Sequence, residues 1–182
     1  MTSLSWARCS KVGITAFNHA GKVRNVTSLD IAHFKEVVGH YVTGVVVVSA
    51  TTGEGPVGFT CQTFGSLSIE PLLVTFAAKS ESRSWPQVRT ANAVGINILS
   101  SGQEALARVF ATSGIDKFEG VGWSPGPHGT PLLDGALVHL EGTIEVVSTH
   151  GDHDVVVVSV EYASSRQGSP LIYYRGRFGL LD

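Results

Sequence analysis

Three stretches of the chain carry side chains that could do chemistry. The first is VGFTCQTFGSLS, residues 57–68. Thr60, Thr63, Ser66 and Ser68 are short hydroxyl side chains, and Gln62 lies among them. Exposed backbone flanked by short polar groups suits hydrogen bonding to the edge of a flat polar ring or to a phosphate. A hydroxyl-rich barrel strand would read the same way. The second stretch is KSESRSW, with Lys79, Ser80, Ser82, Arg83 and Ser84 just before and within a helix start. Helix amides, the positive dipole end and a cation from Lys79 or Arg83 together suit a phosphate. A solvated, capped helix start is the plainer alternative. The third is HGDH, residues 150–153, followed by Asp154. Its imidazoles and carboxylates suggest a metal. However, ligands crowded into one turn have poor tetrahedral geometry, and no distant Cys or His pair completes a set, so no metal is expected. A histidine here could instead stack on a nucleotide or hydrogen-bond to it. An ordinary exposed turn is the alternative.

GEGPVG, Gly53 to Gly58, fits the G-x-G-x-x-G dinucleotide fingerprint. That fingerprint works only where the loop opens a helix whose N-terminus takes the pyrophosphate. No amphipathic helix can be drawn through Phe59 to Ser68, so TTGEGP reads as a hairpin turn. Cys61 has no neighbour that would activate it and reads as packing. His33, His40, His128 and His139 read as structural or surface residues. Asp134 and Glu141 do not form an acid/base pair.

The elements that must position these groups are mostly strands. Thr27 and Asp30 resemble a capping box ahead of a helix of about three turns, with Ile31, Phe34, Val38 and Tyr41 near one face. GVVVVSA (44–50) is a buried strand. LLVTFAA (72–78) and AVGINIL (93–99) follow the same pattern, with a short helix between them that Ser82 or Ser84 could cap and that carries Pro86 in its first turn. Ser101 and Glu104 form a capping box for a helix through residues 102–111. A Gly- and Pro-rich loop follows, then ALVHLEGTIEVVST and DVVVVSVEYAS joined by HGDH, then PLIYYRGRF as a last strand. Strands succeed one another with few helices between, which predicts a mainly β fold, an antiparallel barrel with short peripheral helices.

At 182 residues the chain suits one domain. Residues 1–28 show no clear period and read as an extension, leaving 29–182 as the folded domain. Charged residues make up only 15% and the net charge is -2, which argues against nucleic acid or an anionic membrane as partner. No run approaches the length of a membrane span. Two cysteines, Cys9 and Cys61, form neither a metal cluster nor a disulfide framework, and a cytoplasmic setting is expected.

Taken in order, FKEVVGHYVTGVVVVS, PVGFTCQTFGSLSIEPLLVTF, KSESRSW, VGINIL, DKFEGVGW, GTPLLDGALVHLEG, GDH and PLIYYRGRF resemble the flavin reductase-like family, over about residues 30–181. The resemblance implies an FMN-binding split barrel. It implies an NAD(P)H-dependent flavin reductase, the reductase component of a two-component monooxygenase. Hydride would pass between cofactors, FMN or FAD and NADH or NADPH, with no protein acid or base. Pro56, Val57, Gly58, Phe59, Thr60, Gln62 and Thr63 would then hold the flavin ring and ribityl chain. Ala77, Lys79, Ser82 and Arg83 would hold the phosphate end, with a further contact from Val109 and Phe110. His150, Gly151, Asp152 and above all His153 would lie by the nicotinamide, with Tyr174 and Arg175 lining the same region. A homodimer and a separate oxygenase that receives reduced flavin are implied as partners. A flavin-binding carrier without a nicotinamide site is the rival reading. Val158 stands where the family often has glycine and would hinder a close nicotinamide approach.

Overall fold

The structure, a computed structural model, describes residues 15–17, 23–25 and 30–179. The chain divides into two units, Met1–His40 and Tyr41–Asp182. In the first, β1 (Thr15–Phe17) and β2 (Val23–Asn25) pair antiparallel, and α1 (Ile31–Val38) follows. Asp30 caps α1, its Oδ1 accepting from the His33 amide at 2.8 Å. Thr27, the other half of the expected capping box, lies outside the described residues, as does Cys9. At eight residues α1 has about two turns, not three, and it ends before Tyr41.

The second unit runs β3 (Thr43–Gly44), β4 (Val46–Thr52), β5 (Gly55–Cys61), β6 (Gly65–Ser68), β7 (Leu73–Lys79), α2 (Trp85–Val88), β8 (Val94–Ile98), a 3-10 turn (Ser101–Gln103) and α3 (Glu104–Ala111). It continues with β9 (Trp123–Pro125), β10 (Pro131–Leu133), β11 (Val138–His150), β12 (His153–Ser165), β13 (Ile172–Tyr174) and β14 (Arg177–Gly179). Strand outweighs helix, 48% to 15%, so the mainly β expectation holds. PLIYYRGRF is not one strand. It folds back at Arg175 and Gly176 into the hairpin β13–β14, and both turn residues have positive φ.

Seven strands form one antiparallel sheet in the order β5-β4-β8-β11-β12-β7-β6. Its two outermost strands, β5 and β6, are separated by residues 62–64 alone. So short a link forces the sheet to curl back on itself into a barrel. The closure is incomplete. β6 covers β7 only at Leu73, Val74 and Thr75, so the rest of β7 faces the free edge of β5. One side chain pins this seam: Thr63 Oγ1 accepts from the Ala77 amide at 2.7 Å and lies 3.0 Å from the Ala77 carbonyl. This is the split of the expected split barrel, a fold shared with the structural neighbours described below.

GEGPVG is the β4–β5 hairpin. Thr52 pairs with Gly55 across a two-residue turn, and Gly55 has φ +119°, which glycine tolerates. β4 explains its unbroken valine run by having both faces buried. Val46, Val48 and Ala50 enter a core with Phe76, Trp85, Ile96 and Val156, while Val45 and Val47 enter a second with Leu99, Phe110 and Leu133. The capping box before α3 lies one residue earlier than Ser101–Glu104. The Ser100 amide donates to Gln103 Oε1 at 2.9 Å, and Ser100 with Gln103 closes the 3-10 turn from which α3 starts.

Candidate functional site

The open seam forms a cavity of about 840 Å³, lined by β5, the end of β7, the 80–87 segment and the 110–118 loop. Ligand sites usually measure about 300–1,000 Å³. Lys117 Nζ donates to the Gly58 carbonyl at 3.1 Å, so that carbonyl points away from β4. In an antiparallel ladder both polar groups of a residue point to the same side. The amides of Gly58 and Thr60 therefore face the cavity, on a strand edge that pairs with no other strand. Thr60 Oγ1 is turned aside, donating to the Ala107 carbonyl at 2.6 Å. Apolar surface comes from the half-buried Phe59, and the fully buried Phe110 backs the floor from beneath. Phe110 reaches the floor because Gly58 lacks a side chain: a Cβ there would lie 2.9 Å from both Phe110 Cε1 and the Val48 carbonyl.

Two cations stand at one end. Lys79 closes β7, and the Arg83 guanidinium lies against Gly114, where a Cβ would meet Nη1 at 3.1 Å. Among the described residues, neither takes part in an ion pair. The helix dipole expected to assist them is weak, because α2 is a single turn of four residues. Ser84 holds the N-cap position without a side-chain capping bond, and Ser82 supplies one instead, its Oγ accepting from the Trp85 amide at 3.0 Å. Ser84 Oγ and the Phe110 carbonyl both take hydrogen bonds from Lys117 instead.

The HGDH turn splits in function. His153 opens β12 opposite Lys79 and reaches the cavity rim. His150, Gly151 and Asp152 do not line the cavity. Gly151 makes the turn with φ +65°, and His150 Nε2 lies 3.1 Å from Ser148 Oγ. Asp152 Oδ1 lies 2.8 Å from His153 Nδ1, and that contact holds the Asp152 carboxyl below its usual range. Asp154 faces the opposite way and is 3% exposed. Its carboxylate accepts from Trp85 Nε1 at 2.7 Å, Thr149 Oγ1 at 2.7 Å and Ser80 Oγ at 3.2 Å, and Arg89 lies 3.7 Å away. These bonds, from Trp85 first, then Thr149 and Ser80, hold its carboxyl below the usual carboxylate range, with a smaller contribution from the Arg89 charge.

A pH dependence follows. The unfolded Asp154 titrates near about 3.9, and the folded pKa lies lower. The stabilisation is thus fully present above the unfolded value and is lost as pH falls through the folded one. Asp154→Asn should lower the urea midpoint most above about pH 5, and the gap to wild type should shrink on acidification. A pH series of urea denaturations checks this.

The cavity gathers Pro56, Val57, Gly58, Phe59, Thr60, Gln62, Thr63, Ala77, Lys79, Ser82, Arg83, Phe110 and His153. Val109 does not line it; its side chain packs against the second core. Tyr174 and Arg175 line a separate groove with Arg177 and Phe178, because the hairpin turn carries them there. Val158 is 1% exposed in the barrel core beside Gly142, so it does not obstruct the cavity. Lys117 stands in the DKFEGVGW loop segment, and the sequence assigns it no role. A lysine in a Gly- and Pro-rich loop carries no periodic signal, and only the folded chain shows its three acceptors. Burial pushes the Lys117 ammonium below the usual lysine range. Among the described residues, no group of three or more His, Cys, Asp or Glu is placed to hold a metal, and no helix is long and apolar enough to cross a membrane.

A family model described as a flavin reductase like domain matches residues 38–182. The reductase subunit HsaB of a flavin-dependent monooxygenase from Rhodococcus jostii is 36% identical over 152 residues, covering 83% of this chain and 78% of that protein. An FMN reductase (NADH) from Agrobacterium fabrum is 35% identical over 146 residues, covering 80% and 83%. The structure of an NADH:FAD oxidoreductase from Streptomyces globisporus, in complex with NAD and FAD fragments, superposes with a TM-score of 0.80 at 30% identity, covering 84% of this chain and 93% of that one.

Proposed function

The chain belongs to the flavin reductase-like family, and on that premise we propose that it is an NAD(P)H:flavin oxidoreductase that supplies reduced flavin to a separate monooxygenase. The observation that carries the reading is the seam between β5 and β7: an apolar floor, an open main-chain edge and two cations at one end. That donor set fits a flavin. The amides of Gly58 and Thr60 suit the polar rim of the ring, Phe59 suits its face, and Lys79 and Arg83 suit a phosphate. When bound, flavin and nicotinamide exchange two electrons directly, chemistry that belongs to the cofactors. The protein's part is to hold the two rings in contact and keep water out of the seam. His153 at the rim, oriented by Asp152, is assigned to the nicotinamide. Flavin, as FMN or FAD, and NADH or NADPH are the cofactors; the Agrobacterium fabrum and Streptomyces globisporus relatives are named for NADH. The boundary of the reductase domain is placed at residue 29. Leu67, Ile69 and Leu72, apolar and exposed around β6–β7, support a homodimer. A reaction fed by NAD(P)H suits the cytoplasm.

The test is NADH and NADPH consumption by purified protein, with and without added FMN or FAD. Turnover only with free flavin is the expected result, and the preferred pair is read directly. Flavin binding without consumption of either nucleotide would overturn the reductase in favour of a flavin carrier. His153→Ala should raise the KM for the nicotinamide about five-fold, the worth of one hydrogen bond of about 1 kcal/mol, with flavin affinity nearly unchanged. Steady-state kinetics in both substrates check this.

A further inference from the structure

Asp154 touches both ends of the cleft without lining it. Successive residues of β12 point to opposite faces, so His153 reaches the rim while Asp154 turns inward. On one side its carboxylate takes hydrogen bonds from Ser80 and from the indole N–H of Trp85. These two residues flank Ser82 and Arg83, which line the cationic end. On the other side it takes the Thr149 hydroxyl, at the end of β11 just before the turn that delivers His153. A main-chain bond runs in parallel, from the Ser80 amide to the Asp152 carbonyl at 3.0 Å. Trp85 is itself fixed, with Phe76 and Phe59 edge-on at 6.0 and 6.4 Å, and Phe59 is part of the cavity wall. Three protein donors therefore fix the orientation of this carboxylate.

We propose that Asp154 is a positioning residue that couples the two ends of the cleft, so that anion binding at Arg83 and nicotinamide binding at His153 favour each other. The inference rests on the reductase reading. Its physical basis is shared ordering. Residues 80–83 and the Gly151–Asp152 turn are short, partly exposed loops joined through one buried hub, Asp154 with Trp85. A ligand that fixes one loop fixes the other, and the second ligand then meets a smaller entropic cost. Coupling of this kind is reciprocal.

The experiment measures flavin affinity by fluorescence quenching, with and without saturating NAD⁺, which cannot reduce the flavin. The expected result is that wild type binds flavin about five-fold more tightly with NAD⁺ present. Trp85→Phe keeps an aromatic ring in the core and deletes the N–H to Asp154. Ser80→Ala deletes a surface-side donor and leaves the core untouched, so it keeps the test valid if Trp85→Phe fails to fold. In each folded variant, judged by a cooperative thermal transition, the ratio should fall toward one while flavin still binds. A purely structural role would shift the transition and leave the ratio alone. A wild-type ratio of one, or a wild-type ratio retained in the folded variants, overturns the coupling. Failure of wild type to bind any flavin is a different result, and it overturns the reductase reading beneath.

Discussion

Gly142→Ala should leave little folded protein. Gly142 lies in β11 between two strands, opposite Val160 of β12 and Val94 of β8. A Cβ at this position would stand 1.9 Å from the Ser159 carbonyl oxygen and 2.8 Å from its carbon. Both contacts are backbone, so no rotamer change relieves them. β12 cannot retreat, because its other edge is paired with β7. The register shift at Glu141 and Gly142 marks the point where β12 bends in so closely. Overpacking against main chain belongs at the upper end of point-mutation effects, about 3–5 kcal/mol. Total stability for a domain is about 5–15 kcal/mol, so the variant should express mainly as insoluble protein, with a much reduced urea midpoint in any soluble fraction. Gly44→Ala is the control. Nothing lies within 4 Å of a Cβ there, and its effect should stay within about 0.5 kcal/mol.

Lys117→Met should weaken both the fold and the cleft. The ammonium donates to Phe110 O at 2.9 Å, Gly58 O at 3.1 Å and Ser84 Oγ at 3.1 Å, so its three hydrogens are all engaged. These acceptors come from α3, β5 and the start of α2. One side chain thus ties three walls of the cavity together. Methionine keeps the stem and removes every donor. Hydrogen bonds to a charged group contribute about 1.5–3 kcal/mol each, but partial rehydration and the relief of burying a charge offset part of the loss, for a net cost of about 2–4 kcal/mol. Flavin affinity should drop about ten-fold or more, because the Gly58 edge loses the group that fixes it. Lys117→Arg should not restore it. A planar guanidinium fork cannot reach three acceptors arranged about a tetrahedral ammonium. Urea denaturation and flavin titration of the three proteins check both claims.

The fold was legible where local rules and burial agree. The valine run announced β4, and the missing helix after GEGPVG correctly demoted a fingerprint to a hairpin. The helix start at Ser101 was misplaced by one residue, because Ser100-x-x-Gln103 satisfies the same capping pattern and the sequence alone does not choose between them. PLIYYRGRF reads as continuous β because arginine is not a turn residue, yet Arg175 takes φ 49° there. At the site, clustering in sequence proved a partial guide. HGDH lies at a strand junction, and the alternation of β12 sends His153 to the cavity and Asp154 to the core. The seam itself was beyond reach, since which strand edges remain unpaired depends on the whole sheet order. So was Lys117, whose partners are 7, 33 and 59 residues distant.

The free edge of β5 has a consequence for how the protein must be handled by the cell. A row of unpaired amides and carbonyls is a template onto which a foreign strand can zip. Two devices in the chain blunt it: the Lys117 ammonium on one carbonyl, and just past the strand the Thr63 clasp on β7. They leave uncovered the length of edge assigned here to the flavin. A ligand seated along that length would cover the template, so added flavin should reduce self-association of the purified protein, as light scattering with and without flavin would check.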